Sequence, residues 1–136
     1  FKMSDGDLIR SITNDVEPYQ AIRELYFRLV ESAKKNQPFV ASAQEIHSII
    51  KPHLASKEIR TRMWAHATLG FCGEGAIEDI RRGLNDKEIY VRYKSAEAAG
   101  VGRFMALKDD LTSAIQKDRW YVGEYSLSAL ESIMGR

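Results

Sequence analysis

The chain has one cysteine, Cys72, in 136 residues. An internal disulfide is excluded, and a lone thiol fits a reducing compartment, so a cytoplasmic protein is expected. There are only three prolines, Pro18, Pro38 and Pro52, which leaves long stretches free of the residue that breaks helices. No apolar run approaches the ~20 residues needed to cross a bilayer as a helix. No secretory leader is expected, and Met3 is read as a native start behind Phe1 and Lys2. Basic and acidic residues nearly cancel, 20 against 19, so no global field announces nucleic acid or an anionic membrane. The three histidines, His47, His53 and His66, form no i, i+4 pair, and no HExxH occurs. Neither a metal site nor a cofactor is therefore expected. No stretch alternates apolar and polar residues in the manner of a half-buried strand.

What is present is helical. Hydrophobic residues make up 44% of the chain, enough for a core, and charged residues make up 29%, which suits amphipathic helices. Ser4 caps a helix over 5–13 with Leu8, Ile9 and Ile12 inward. Pro18 opens the next, to Lys35, on a stripe of Ala21, Ile22, Leu25, Leu29 and Ala33, widened by Tyr26, Phe27 and Val30. The break Lys34–Gln37 leads to a helix from Pro38 to Leu54, with Val40, Ala43, Ile46, Ile49 and Ile50 inward. Helices are then expected over 56–69, 76–84 and 86–100, followed by 104–115, with Leu107, Leu111, Ala114 and Ile115 inward, and 119–134.

One stretch states a pattern that the chain repeats. In Leu84–Gly102, Asn85 and Asp86 are turn and helix-start residues. Ile89, Ala96 and Ala99 form a buried stripe, and Gly100 and Gly102 end the helix through positive φ. Thirty residues earlier, SKEIRTRMWAHATLG lies under DKEIYVRYKSAEAAG, matching Glu58 with Glu88, Arg62 with Arg92 and Gly70 with Gly100. A weaker copy follows, setting Trp120, Tyr121, Leu127 and Leu130 on Ile89, Tyr90, Ala96 and Ala99. A fainter echo at the start sets Tyr19 under Tyr90. A helix-turn-helix period of about thirty residues is the mark of a helical repeat array.

Asp86, Val91, Arg92, Ala96, Ala99 and Gly100 carry a pattern that resembles the second-helix signature of HEAT repeats, particularly the short bacterial HEAT-like type. The match is good over 54–134 and poor over the first fifty residues. The resemblance implies an all-α fold, an alpha-alpha superhelix of about four antiparallel pairs (4–35, 38–70, 74–101 and 103–134) in one domain spanning 1–136. It also implies that Arg62 and Arg92 are structural, each pairing with the turn acid of a neighbouring unit, with Asp86 as one partner. Each pair cannot bury its apolar face alone, so stacking supplies the core.

Several groups invite a chemical reading and yield to a plainer one. GFCGEG, residues 70–75, superficially resembles a phosphate loop, but its flanks are helical and it lacks the terminal lysine and hydroxyl. Cys72 has no base beside it in sequence, so a catalytic thiol is not expected. His66 falls on the core-like position of Ala96 and Leu127 and reads as a structural histidine. Glu78-Asp79 and Asp109-Asp110 lie near helix starts, where the dipole explains them. Some HEAT-repeat iron hydroxylases carry His-Glu pairs on the analogous helices; this chain has none.

Once the core positions of the second helices are set aside, equivalent residues remain on one side of each. They are Arg60, Tyr90 and Tyr121; Met63, Tyr93 and Glu124; Trp64, Lys94 and Tyr125; with Glu97 beside them. Aromatics with a polar tip are common anchors of binding surfaces. The competing reading packs several of these between repeats, Tyr90 and Tyr121 first. The expected function is a non-catalytic module holding a partner protein or peptide on this face. Nucleic acid is the alternative, since aromatics among Arg and Lys can stack bases, as on HEAT-like DNA glycosylases. Glu97, Glu124 and the near-zero net charge oppose it. Resemblance to bilin lyases raises a third reading, in which the strip handles a large aromatic ligand; no residue presents itself as its catalyst. The apolar last helix, ending at Gly135-Arg136 without a polar cap, suggests either an oligomer contact or a longer array.

Overall fold

The computed structural model describes residues 3–15, 18–118 and 121–135, with the backbone alone for 121 and 122. Among them the fold is all-α, with eight α-helices and no strand. They are α1 (Asp5–Asn14), α2 (Tyr19–Lys34), α3 (Ala43–Ile50), α4 (Ile59–Thr68), α5 (Ile77–Gly83), α6 (Ile89–Val101), α7 (Lys108–Lys117) and α8 (Tyr121–Ile133). No described helix is long and apolar enough to cross a membrane.

Local chemistry sets most boundaries. The Ser4 hydroxyl accepts from the Asp7 N–H at the start of α1. Asn36 adopts φ +52° just past α2, a left-handed stop that asparagine tolerates. Glu58 caps α4 by accepting from the Thr61 N–H, so α4 begins at Ile59 and Ser56–Glu58 form its lead-in. Short 3₁₀ turns at Glu74–Ala76 and Met105–Leu107 precede α5 and α7.

Four expectations are corrected. α3 starts at Ala43, not at Pro38, because Ser42 and Glu45 form a reciprocal capping box that defines a stronger start. Val40 therefore lies outside the helix and is exposed. Ala33 is exposed as well. Gly100 and Gly102 do not end α6 through positive φ: Gly100 lies inside the helix, Gly102 has φ −79°, and Arg103 takes the left-handed conformation at φ +53°. Leu127 is not core but 52% exposed, while its neighbour Ser126 is buried. The thirty-one-residue offset still sets Ser126 under Ser95 and Ala129 under Ala98, all four buried; Leu127 differs from Ala96 because α6 packs on both α4 and α8, whereas α8 packs on α6 and α7.

The even-numbered helices lie side by side, α2 against α4, α4 against α6, and α6 against α8. α2 and α4 run in the same direction, since Arg60 near the start of α4 covers Tyr19 at the start of α2, while Phe71 beyond α4 meets Tyr26 farther along α2. α1 packs on α2 and α3, α5 on α6, and α7 on α8. Between the layers lies a core of Leu8, Ile22, Leu25, Ile50, Leu69, Ile80, Leu107 and Leu111. Small residues let the even helices approach closely. A Cβ on Gly70 would meet the Ala98 carbonyl oxygen at 2.9 Å, and one on Gly100 would meet the Ala129 Cα at 2.8 Å. The repeated glycine is therefore needed for helix contact rather than for chain reversal.

Arg62 on α4 and Arg92 on α6 make matching forks. The Arg62 guanidinium donates to both carboxylate oxygens of Asp86 at 3.1 Å and to the Ser56 carbonyl at 2.8 Å. Arg92 repeats this with Asp118, at 2.9 and 3.1 Å, and with the Asp86 carbonyl at 2.9 Å. Each fork thus joins the segment before its own helix to an acid just before the next even-numbered helix.

Candidate functional site

The outer side of the even helices carries a chain of ring contacts. On α2 and α4, Tyr26 lies 5.4 Å from Trp64, and Phe27 lies 5.6 Å from Trp64. On α6 and α8, Tyr90 and Tyr93 meet edge to face at 6.0 Å, and Tyr93 stacks on Tyr125 at 5.0 Å with 26° between planes. Lys94 bridges the two groups. Its ammonium lies 4.7 Å from the Trp64 ring, 5.3 Å from Tyr93 and 5.6 Å from Tyr26. A cation enclosed by ring faces is held by their quadrupoles, more strongly as water is removed.

Glu97, one turn after Lys94, completes this cluster. One of its oxygens, Oε1, accepts from the Tyr26 hydroxyl at 2.7 Å and pairs with Lys94 Nζ at 3.5 Å. Burial, then the hydrogen bond to this carboxylate, push the Tyr26 phenol above its ordinary value. It therefore stays protonated, as the donor. Only 12% of the Lys94 side chain and 23% of Glu97 is exposed, so the central charges of the face are largely committed to each other.

The remaining expected residues fall as follows. Arg60 is exposed, its guanidinium 4.2 Å over the Tyr19 ring and 3.3 Å from Glu58. Met63 is half-buried and Glu124 exposed. Trp64 is half-buried against the core, so it is a packing residue with an open edge. Tyr90, the residue most suspected of packing between units, is 53% exposed; Tyr125 and Phe27 are also exposed. The Tyr121 side chain and Trp120 lie outside the described residues.

Sequence reasoning missed the part of α2. Tyr19, Arg23, Tyr26 and Phe27 all belong to this face, with Arg23 over the rings of Phe27 at 5.0 Å and Trp64 at 5.6 Å. The signal was available. The echo that sets Tyr19 under Tyr90 also sets Arg23 under Lys94 and Tyr26 under Glu97.

Elsewhere the reactive groups are closed. Cys72 is buried, donates to the Thr68 carbonyl at 3.4 Å, and is pushed up to about 12, first by burial and then by the charge of Asp79. We expect native protein to react with a thiol reagent such as DTNB at least about a hundredfold more slowly than urea-unfolded protein at pH 8; equal rates would contradict this burial. His66 is buried, its Nδ1 2.8 Å from the Arg62 carbonyl oxygen, and burial lowers its pKa, so it stays neutral. Asp79 is almost fully buried and joins α3 to α5 by pairing with His47 at 2.6 Å and with Arg82. Burial alone would raise its pKa, but His47, Lys51 and Arg82 together hold it below the usual carboxylate value. Among the described residues no three His, Cys, Asp or Glu side chains gather as a metal site. The protein-family models and the curated proteins contain no match for this chain.

Proposed function

We propose that the chain is a short HEAT-like alpha-alpha superhelix of four helix pairs in a single domain, and that it serves as a non-catalytic interaction module of the cytoplasm. Its partner is a protein segment lying across the even helices. The observation that carries this reading is the continuous ring face from Tyr19 on α2 to Tyr125 on α8, with Phe27, Tyr90 and Tyr125 exposed along it. Rigid aromatics already held by their neighbours lose little entropy on binding, which suits them to anchor a partner. The repeated arginine forks and the repeated close-contact glycines support the superhelix.

A nucleic-acid face would present its cations to phosphates. Here Lys94 is enclosed and neutralised by Glu97, and Glu124 is exposed nearby. Of the described cations on this face, Arg23 and Arg60 are exposed, and Arg60 already has the Glu58 carboxylate at 3.3 Å. A protein partner fits this balance better.

The test replaces only exposed anchors. Tyr90→Ala with Tyr125→Ala should keep the melting temperature within a few degrees and weaken capture of the cellular partner roughly thirtyfold, read by pull-down with mass spectrometry. Unchanged capture by the folded double variant would remove this face as the binding site.

A further inference from the structure

The charges on the ring face are not mixed evenly. At the α2–α4 side, Arg23 and Arg60 are exposed. Arg23 rests on rings alone, with no carboxylate partner among the described residues. At the α6–α8 side the sign reverses. α8, from Tyr121 to Ile133, contains Glu124 and Glu131 and no lysine or arginine, and both acids are exposed.

The same side has a groove of about 280 Å³. Its floor is Gly100 and Ala129, where the two helices nearly touch. Its walls are Glu97, Tyr125, Ser128 and Ser132. Glu97 Oε1 holds the Tyr26 hydroxyl at 2.7 Å and Lys94 at 3.5 Å. Glu97 also lines this groove, so the groove offers a carboxylate, an aromatic wall and two hydroxyls. An apolar stem with a cationic head matches these features, because the stem can lie on Tyr125 while the head reaches carboxylate and hydroxyl oxygens.

We propose that this face reads a partner segment of segregated charge. A lysine or arginine side chain enters the α6–α8 groove beside Glu97, apolar residues cross Tyr90 and Tyr93, and an aspartate or glutamate meets Arg23 and Arg60. The proposal rests on the interaction reading above and specifies its ligand. Neighbouring helix axes lie about 9 Å apart, so two steps from the α2–α4 seam to the α6–α8 seam span about 18 Å. An extended segment rising about 3.3 Å per residue covers that in roughly six residues. The separation of acid and base is thereby specified, not only their presence.

The experiment titrates the full chain against labelled ten-residue peptides by fluorescence anisotropy. One has an acidic pair and a lysine six residues apart around leucine and tryptophan; the others are all-acidic, all-basic, or segregated at a three-residue spacing. The six-residue segregated peptide should bind at least tenfold tighter than each of the others. Glu97→Gln should remove the preference for lysine over norleucine at the basic position. Arg60→Glu, at an exposed position and with an unchanged helical CD spectrum as its folding check, should reverse the preference toward the all-basic peptide. Tightest binding by the all-basic peptide, or equal lysine and norleucine affinity in the unmodified chain, would overturn the proposal. So would a concentration-dependent dimer lost in Arg60→Glu, which would assign the face to a second copy. If every peptide failed while Tyr90→Ala/Tyr125→Ala still abolished partner capture, the segment chemistry would fall and the interaction face would stand.

Discussion

Replacing Gly100 by leucine should lower stability by more than about 3 kcal/mol, at the upper end of what overpacking costs. The reason is backbone geometry. A Cβ at this position would lie 2.8 Å from the Ala129 Cα and 3.0 Å from its Cβ. Those atoms belong to the α8 backbone and its first side-chain carbon, so no rotamer change relieves the clash. α8 must move away from α6, which separates the most extensive helix pair among the described residues. For a domain of this size, 3 kcal/mol corresponds to roughly 10 °C in melting temperature. Gly6→Ala is the control. Its Cβ would meet only the mobile end of Arg10 at 3.7 Å, and removing glycine's chain entropy should be neutral or stabilising by up to about 1 kcal/mol. If Gly100→Leu melted as the wild type does, the close crossing of α6 and α8 would be wrong.

Asp86→Ala should cost about 3–5 kcal/mol, the range for removing one partner of a buried ion pair. Arg62 retains 8% of its side-chain exposure and Asp86 16%, so the orphaned guanidinium cannot turn out to water freely. It would keep one hydrogen bond, to the Ser56 carbonyl. The substitution also removes the carboxylate oxygen that accepts from the Glu88 N–H at 2.9 Å, loosening the turn into α6. Asp118→Ala removes the equivalent acid from Arg92, but that pair is more open, at 22% and 21%, and a smaller loss is expected. Denaturant midpoints of the two variants check the order.

Acid adds a second readout for Asp86. Burial pushes its carboxyl up, but the Glu88 N–H and Arg62 outweigh this and hold it below the ordinary value. The folded chain therefore binds a proton here less readily than the unfolded chain. This contribution is fully present above the unfolded value of about 4 and disappears as pH falls through the lower folded value. The wild type should lose stability below about pH 4 more steeply than Asp86→Ala. Parallel acid limbs would show that Asp86 is not held as the structure shows it.

Much of the helical layout was legible in the sequence because periodicity, caps and the thirty-residue repeat are local or nearly so. Leu8, Ile22, Leu25, Ile46 and Leu111 lie on stripes that the 3.6-residue period marks, and all are buried. Val40 failed because the Ser42–Glu45 box, beginning four residues after Pro38, satisfies two helix-end donors at once, whereas a proline merely tolerates a helix start. Leu127 failed although the thirty-one-residue alignment holds, because α6 packs on both α4 and α8, whereas α8 packs on α6 and α7. The side of α8 that meets α6 buries Ser126 and Ala129 and leaves Leu127 exposed.

The aromatic face divides along the same line. The residue types at equivalent positions of α4, α6 and α8 were readable, since a repeat returns the same side of each helix at each copy. Exposure was not readable. Whether Lys94 reaches solvent or is enclosed depends on Trp64 and Tyr26 from two other helices and on Glu97 from its own. Likewise the sequence by itself determined that Gly70 and Gly100 recur, but assigned Gly100 to chain reversal. Tertiary packing decided that its missing side chain is the space in which the next helix lies. Burial and close approach are properties of several segments together, and no period within one segment encodes them.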